Sequence, residues 1–369
     1  MRIERLEATP LEIPFKVSFK HTSADRAKTA SVWVEAHATH GGIIVGYGEG
    51  CPREYVTGES LKSALDWIAR NKSSIVNEVT GLESLKEWVA KQEQTIDKDP
   101  AAWCAVELAL LDLLGKSQGQ SLEALLSLPS LPSAFQYSAV LGDSDLAGFS
   151  KQVLKYVSVG FGDFKIKLSG DLEKDSAKIA CLNSAGVPVK IRGDANNLWR
   201  EPSEVIAYLD RLGHPFWALE EPLAPRDFAG MSKIAAHTGI KIILDESFTR
   251  AQDLRDIEDT PDLWLLNLRV SKLGGLMRSL DLLKHARSSG IKVIIGAHVG
   301  ETSVLSRAGL TLAAVADDSR VAMEGAFGTH LLEHDVCDPS LMFGKGGRLC
   351  PEEWYFKTGT GCGLNIGEK

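Results

Sequence analysis

Charged side chains close a series of short apolar runs at nearly constant intervals. Lys167, Asp194, Glu220, Asp245, Lys272 and His298 follow one another at steps of 27, 26, 25, 27 and 26 residues. A strand, a loop, a helix and a return loop take up about that length, and about eight such units close a (β/α)8 barrel of roughly 250 residues. The spacing therefore predicts an α/β chain whose main body is a (β/α)8-type barrel. Polar residues at the C-terminal ends of barrel strands face the active site. Lysine, three carboxylates, lysine and histidine should then stand around one mouth.

The chain has 369 residues, about a hundred more than a minimal barrel needs, so a second domain is expected. Up to about Gly50 the apolar period is two: Leu11, Ile13, Phe15, Val17 and Phe19, then Val32 and Val34, then Ile43 to Gly46 after the Gly41-Gly42 turn. That is the pattern of a small antiparallel sheet. Between Glu59 and Leu126 the period becomes helical, with Leu61, Leu65 and Ile68 on one stripe and Trp103, Val106, Leu110, Leu113 and Leu114 on another. An α+β domain over residues 1–128 follows, and the Ser/Pro/Leu stretch from Ser127 to Ser133 connects it to a barrel over 133–335. Barrel strands are expected at Phe164–Leu168, Val187–Ile191, Phe216–Leu219, Ile240–Leu244, Leu263–Leu268 and Val293–Ile295, with a first near Ala134–Val140 and a last near Val321–Glu324. The glycine-rich tail, 336–369, should leave the barrel and return toward the N-terminal domain.

Composition narrows the class of partner. Apolar residues make up 44%, charged residues 24%, and the net charge is −8. This is ordinary globular composition, and the negative charge argues against a surface that tracks phosphates, so no nucleic acid is expected. No stretch approaches the length of a membrane helix, and Met1 to Phe19 lacks a basic-then-apolar leader, so no membrane is expected and a cytoplasmic location is. The six cysteines include no C-x-x-C pair and read as reduced thiols.

The chemistry concentrates at the strand ends. Asp194 in Arg-Gly-Asp-Ala-Asn196, Glu220 in Leu-Glu-Glu-Pro and Asp245 in Leu-Asp-Glu-Ser would converge with no cysteine among them. All-oxygen ligation suits Mg²⁺, or Mn²⁺, rather than zinc. Salt bridging to Lys165, Lys167 or Lys272 would account for one isolated acid, but three successive strand ends favour a metal site. On either side stand Lys167 and Lys272. A lysine must be neutral to act as a base, and both Lys165, on the same strand face as Lys167, and a nearby dication disfavour the ammonium form. Such a site would take a proton from the carbon next to a carboxylate and stabilise the anion that develops. A small-molecule carboxylate is the expected partner.

These residues carry a resemblance. Lys165-x-Lys167, the series Asp194, Glu220, Asp245, and Lys272-x-Gly274-Gly275 resemble the muconate lactonizing enzyme subgroup of the enolase superfamily, which pairs a Lys or His base with Mg²⁺. Gly46-Tyr47-Gly48-Glu49-Gly50, Ala105 to Lys116 and Gly359 to Leu364 extend the likeness over nearly the whole chain. The resemblance implies that the N-terminal domain and the tail cap the barrel mouth. It also implies that Phe19–Arg26 and Tyr55–Glu59, including Thr57, form a lid, and that the protein assembles as a homo-oligomer, from dimer to octamer.

The chain departs from the pattern in places. Arg269 stands where most relatives would have a lysine, and it cannot be a base. His298 occupies a strand-end position used by the mandelate racemase subgroup but has no Asp partner near Arg269, so it reads as a substrate-contacting or hydrogen-bonding residue. Glu301 is expected to anchor Lys272. Glu324 replaces the paired acids with which dipeptide epimerases grip an ammonium, and reads either as an ammonium ligand or as a buried structural carboxylate. Gly274-Gly275 opens a helix and suits either a phosphate or close loop packing. Two bases on opposite faces suit a racemase or epimerase of an amino-acid derivative or dipeptide. The same enolate would also serve a cycloisomerase or a dehydratase of acid sugars. A Schiff-base aldolase using Lys272 and a ligand-binding barrel without catalysis are the rival classes.

Overall fold

The computed structural model describes residues 2–21, 24–351 and 359–367, with side chains described outside 17–26. The N-terminal domain begins with strands β1 (Ile3–Leu11), β2 (Pro14–His21), β3 (Ala24–Lys28), β4 (Ser31–Thr39) and β5 (Ile43–Gly50). β1, β4 and β5 form an antiparallel sheet in that order, and β2 pairs with β3. The period-two run from Leu11 to Phe19 is thus divided between two strands, broken at Glu12-Ile13. Helices α1 (Glu54–Thr57), α2 (Leu61–Glu78), α3 (Leu82–Lys91), α4 (Glu93–Ile96), α5 (Pro100–Gln118) and α6 (Leu122–Leu125) follow.

α5 is buried on nearly every side from Pro100 to Gly115, more than the single apolar stripe predicts. The cause lies in β5. A Cβ built on Gly46, Gly48 or Gly50 would overlap the carbonyl oxygens of Ala109, Ala105 and Ala101. Alternate glycines on the strand therefore face every fourth residue of the helix, and the two backbones meet with no side chain between them.

The barrel strands are β7 (Ala139–Leu141), β8 (Asp163–Lys167), β9 (Lys190–Asp194), β10 (Ala218–Glu220), β11 (Lys241–Leu244), β12 (Trp264–Leu268), β13 (Lys292–Ile295) and β14 (Arg320–Met323). They form one parallel sheet in sequence order, and Ser138 N–H donates to the Met323 carbonyl at 2.8 Å, linking the last strand to the first. Short β6 (Phe135–Gln136) pairs instead with β15 (Arg348–Leu349). Between the barrel strands lie α7 (Leu146–Val159), α8 (Leu172–Asn183), α9 (Pro202–Leu212), α10 (Phe228–Thr238), α11 (Ala251–Arg255), α12 (Leu276–Ser288) and α13 (Ser303–Ala316). Among the described residues β14 is followed by a 3-10 turn, Gly328–His330, rather than an α-helix. The expected strand at Val187–Ile191 lies three residues later: Val187 is surface-exposed and Pro188 has no N–H for the ladder.

Strand alternation decides what faces the barrel axis. Ala218, Ile243, Leu265, Ile294 and Ala322 pack together inside the barrel, while Leu219, Ile242, Leu266, Val293 and Ile295 belong to the large core shared with the helices. Counting on by twos toward the C-terminal ends leads to Glu220, Asp245, Asn267 and Arg269, Gly296 and His298, and Glu324.

The N-terminal domain is tied to the barrel through helix N-termini. The Glu107 carboxylate on α5 accepts the Met277 N–H at 3.0 Å at the start of α12, and a Cβ on Gly275 would collide with it. The anion at the Gly274-Gly275 turn is therefore a glutamate of the neighbouring domain, which accounts for the glycines through close packing. Glu49 accepts the Thr302 N–H and hydroxyl at the start of α13. The tail reaches the same domain: Asp112 of α5 accepts the Cys362 N–H at 2.8 Å and the Tyr47 N–H at 3.0 Å, and Leu122 N–H donates to Gly361. All six cysteines are free thiols, and no helix among the described residues is long and apolar enough to cross a membrane.

Candidate active site

The strand ladder brings the acids side by side. Lys167 is the Cα partner of Asp194, and Asp194 of Glu220, while Asp245 directly follows β11, the neighbour of β10. All three carboxylates are buried. Lys165 Nζ lies 2.8 Å from Glu324, 3.1 Å from Glu220 and 3.5 Å from Asp194. Lys167 Nζ lies 2.6 Å from Asp194 Oδ2 and also donates to Asn196 Oδ1. Arg269 pairs with Asp245 and approaches Glu220 at 3.8 Å.

Charge at this rim is unevenly shared. Burial works against the Lys165 ammonium, but Glu220, Glu324 and Asp194 outweigh it and hold its pKa above the lysine range. Burial likewise raises Asp194 and Asp245, yet Lys167 and Lys165 bring the first, and Arg269 and Lys272 the second, below the ordinary aspartate value. Glu220 shares a single ammonium with two other carboxylates. Burial, reinforced by Asp194, Glu324 and Asp245, lifts its pKa to about 8.

A hard divalent cation fits this donor set. The three carboxylates are all-oxygen donors from consecutive strands, and burial together with the neighbouring acids disfavours the charged form of Glu220, a penalty that a cation among them would relieve. Their oxygens are interleaved with Lys165 and Arg269. The one His/Cys/Asp/Glu group among the described residues with all ligand atoms within 4.8 Å of one another is Glu7, Glu35 and His37. It lies on the N-terminal sheet, where the Arg5 guanidinium already pairs with Glu7 at 3.2 Å.

Several sequence expectations change. Lys272 is fully buried and donates to the Asp245 carbonyl at 2.7 Å, Asp245 Oδ1 at 2.8 Å and the Asn267 carbonyl at 2.8 Å. An ammonium has three donors, and all three serve the β11–β12 scaffold, so Lys272 does not present an amine to the mouth. Lys272 lies beyond β12, in the turn that leads to α12, and its amine is directed back onto the ends of β11 and β12. Glu301 does not anchor Lys272 either. Its Oε1 accepts the His298 N–H at 2.6 Å, and burial raises its pKa to about 8. Glu324 is enclosed by two cations, Lys165 and Arg192, the latter at 2.7 Å, and takes the structural role rather than that of an ammonium ligand.

The Thr57 hydroxyl turns to Glu59 Oε2 at 2.8 Å, and Glu59 caps α5 at Ala101 and Ala102. At the mouth, Asp245, Glu220, Glu246 and Tyr55 together overcome the burial that disfavours the Arg269 charge. Of the other lid segment, Thr22 and Ser23 and the side chains of 19–26 lie outside the described residues.

Sequence reasoning missed Glu221 and Glu246. Glu221 accepts the Asp245 and Ser247 N–H groups, both at 2.7 Å, and the Ser247 hydroxyl at 2.8 Å, which sustains its positive φ of 41° and aligns two strand ends. Glu246 is buried with no hydrogen-bond partner at Oε2, and burial beside Asp245 lifts its pKa to about 8. Both directly follow a picked acid, in Glu220-Glu221 and Asp245-Glu246. The doubled acids were the available signal.

Comparison with known proteins adds an independent line. Residues 148–369 match the family model described as enolase C-terminal domain-like, and residues 3–127 match the mandelate racemase / muconate lactonizing enzyme N-terminal domain. The chain is 27% identical over 338 residues to a hydrophobic dipeptide epimerase of Enterococcus faecalis, covering 89% of this chain and 92% of that one. It is 25% identical over 318 residues to an N-succinyl-L-Arg/Lys racemase of Bacillus cereus, covering 85% and 84%. Among solved structures, the Enterococcus faecalis dipeptide epimerase complexed with Mg and the dipeptide L-Leu-L-Tyr superposes with a TM-score of 0.82 at 26% identity, covering 99% and 100%. A muconate lactonizing enzyme from Pseudomonas fluorescens shares the fold, with a TM-score of 0.86 at 22% identity over 99% and 97%.

Proposed function

Since this chain belongs to the mandelate racemase / muconate lactonizing enzyme family of the enolase superfamily, we propose that it is a Mg²⁺-dependent isomerase that removes the α-proton of an amino-acid derivative or dipeptide. The observation that carries the reading is Lys167, the amine at the rim, 2.6 Å from Asp194 at the head of three acids on consecutive strands. Asp194, Glu220 and Asp245 would hold the Mg²⁺, or Mn²⁺, whose chemistry is to bind carboxylate oxygens and stabilise developing negative charge.

Lys167 takes the α-proton on its Nζ, and the C–H electron pair passes into the substrate enolate. Lys165, kept charged by its carboxylates, holds positive potential beside that enolate. Asn196 accepts a hydrogen bond from the Lys167 amine and orients it. The Tyr55 segment covers the mouth and excludes water. The names of the relatives support racemisation or epimerisation. One observation favours a second outcome, elimination or cycloisomerisation from the same enolate: the enclosure of Lys272 leaves Lys167 as the amine facing the mouth. Enclosure likewise speaks against an imine at Lys272. A homo-oligomeric, cytoplasmic enzyme is part of the proposal.

Deuterium wash-in at Cα tests it. N-acylated amino acids, dipeptides and acid sugars are incubated in D₂O with Mg²⁺, and exchange is expected for an amino-acid derivative. Lys167→Ala should lower its rate by at least about a hundredfold. Exchange confined to acid sugars would change the substrate class, and undiminished exchange in Lys167→Ala would remove the base assignment.

A further inference from the structure

Where α13 packs on β13 and β14, a cavity is lined by Tyr137, Glu301, Ser306, Gly309 and Glu324 among apolar neighbours. The space open to the centre of a water molecule is about 10 Å³, which is room for one. Gly309 measures the same space independently. It is buried in the middle of α13, yet a Cβ built on it would meet no other atom within 4 Å. Buried side chains in a close-packed interior ordinarily touch their neighbours at that distance. The lining is also polar. Tyr137 and Ser306 are only 2% and 8% exposed, and neither hydroxyl bonds to another described residue. A buried hydroxyl without a partner costs free energy. Glu301 holds the His298 N–H through Oε1, and a carboxyl has lone pairs for a further donor. Glu324 is already held by Lys165 and Arg192.

We propose that this cavity is a binding site for one ordered water molecule, bonded to Glu301 and to the hydroxyls of Tyr137 and Ser306. Three partners are the usual complement of a buried water. The carboxyl accepts from it, and each hydroxyl can donate to it or accept from it. The molecule joins three parts of the chain: the segment before β7, the turn between β13 and α13, and α13 itself. Tyr137 directly precedes Ser138, whose N–H closes the barrel on the Met323 carbonyl, so the water sits at the seam of the barrel. Through Glu301 it also steadies the turn that begins at His298. This site stands apart from the α-deprotonation reading, and its test reads no activity.

Two measurements on the full chain decide it. A high-resolution crystal structure should show one ordered water within hydrogen-bond reach of Glu301, Tyr137 and Ser306, and a dry cavity there would overturn the proposal whether or not any variant folds. In solution the sign of two substitutions reads the same site. With water bound, Tyr137→Phe removes one of its partners without adding volume, and Gly309→Ala brings a methyl into its space, so both should lower the denaturant midpoint. In a dry cavity both signs reverse. Tyr137→Phe would then delete an unpaired buried hydroxyl, and Gly309→Ala would improve packing and place a better helix former in α13. A midpoint equal to or above wild type in either variant would overturn the water site.

Discussion

Two positions three residues apart, Arg269 and Lys272, show how much a single side chain's direction matters. By residue type Lys272 is the better base, and its regular spacing from Asp245 and His298 places it in the series. By its contacts it is excluded, since it lies in the turn after β12 with its three donors on the Asp245 carbonyl and carboxylate and the Asn267 carbonyl. Lys272→Met should therefore act on the scaffold: Asp245 loses a buried cation, and thermal stability falls together with metal affinity, by about 3–5 kcal/mol for the stability term. A stable Lys272→Met protein that binds Mg²⁺ normally but fails in exchange would return this lysine to catalysis. With Glu220 as a Mg²⁺ ligand, as proposed above, its titration sets the pH dependence of ion binding. With its pKa raised to about 8, the carboxyl is largely protonated at neutral pH in the metal-free protein, and a ligand must be deprotonated. Mg²⁺ affinity should rise as pH rises through about 8, with release of up to about one proton per ion in calorimetry across buffers of different ionisation enthalpy. Glu220→Gln should abolish the release, and Asp194→Asn should lower affinity without removing it.

At the scale of elements, the glycines of β5 and the loop before α12 do the same work in different settings. Gly46, Gly48 and Gly50 let a strand lie on a helix backbone, and Gly275 lets a helix N-terminus close on Glu107. Gly48→Ala should destabilise the protein by about 1–3 kcal/mol through overpacking against Ala105 and Ala109, seen as a lower denaturant midpoint. Exchange per folded molecule should be unchanged, because β5 supplies no side chain to the rim. A midpoint equal to wild type would mean that α5 and β5 are not in backbone contact.

Taken as a whole, the molecule is a barrel and a cap joined by buried glutamates. Burial raises both Glu49 and Glu107 to about 7, each at a barrel helix N-terminus. Their folded pKa values lie above the unfolded value, so their contribution to stability is complete below about pH 4.5 and is lost as pH rises through about 7. Glu107→Gln, an uncharged mimic of the protonated acid, should gain stability relative to wild type over that interval, by about 3 kcal/mol at most. A pH-independent difference between the two unfolding curves would show that Glu107 does not titrate in the fold. The sequence by itself determined the barrel, the α+β domain and the three acids, because strand period, repeat length and residue type are local properties. It also held the doubled acids that mark Glu221 and Glu246, and the alternating glycines. Only the tertiary structure decided which partner each charge meets: Glu324 with Lys165 and Arg192, Glu301 with the His298 main chain, Arg269 with His298, Glu107 with α12. Each of these joins residues from different strands or domains, and pairing at that distance is set by how the elements close around the axis, which no spacing along the chain encodes.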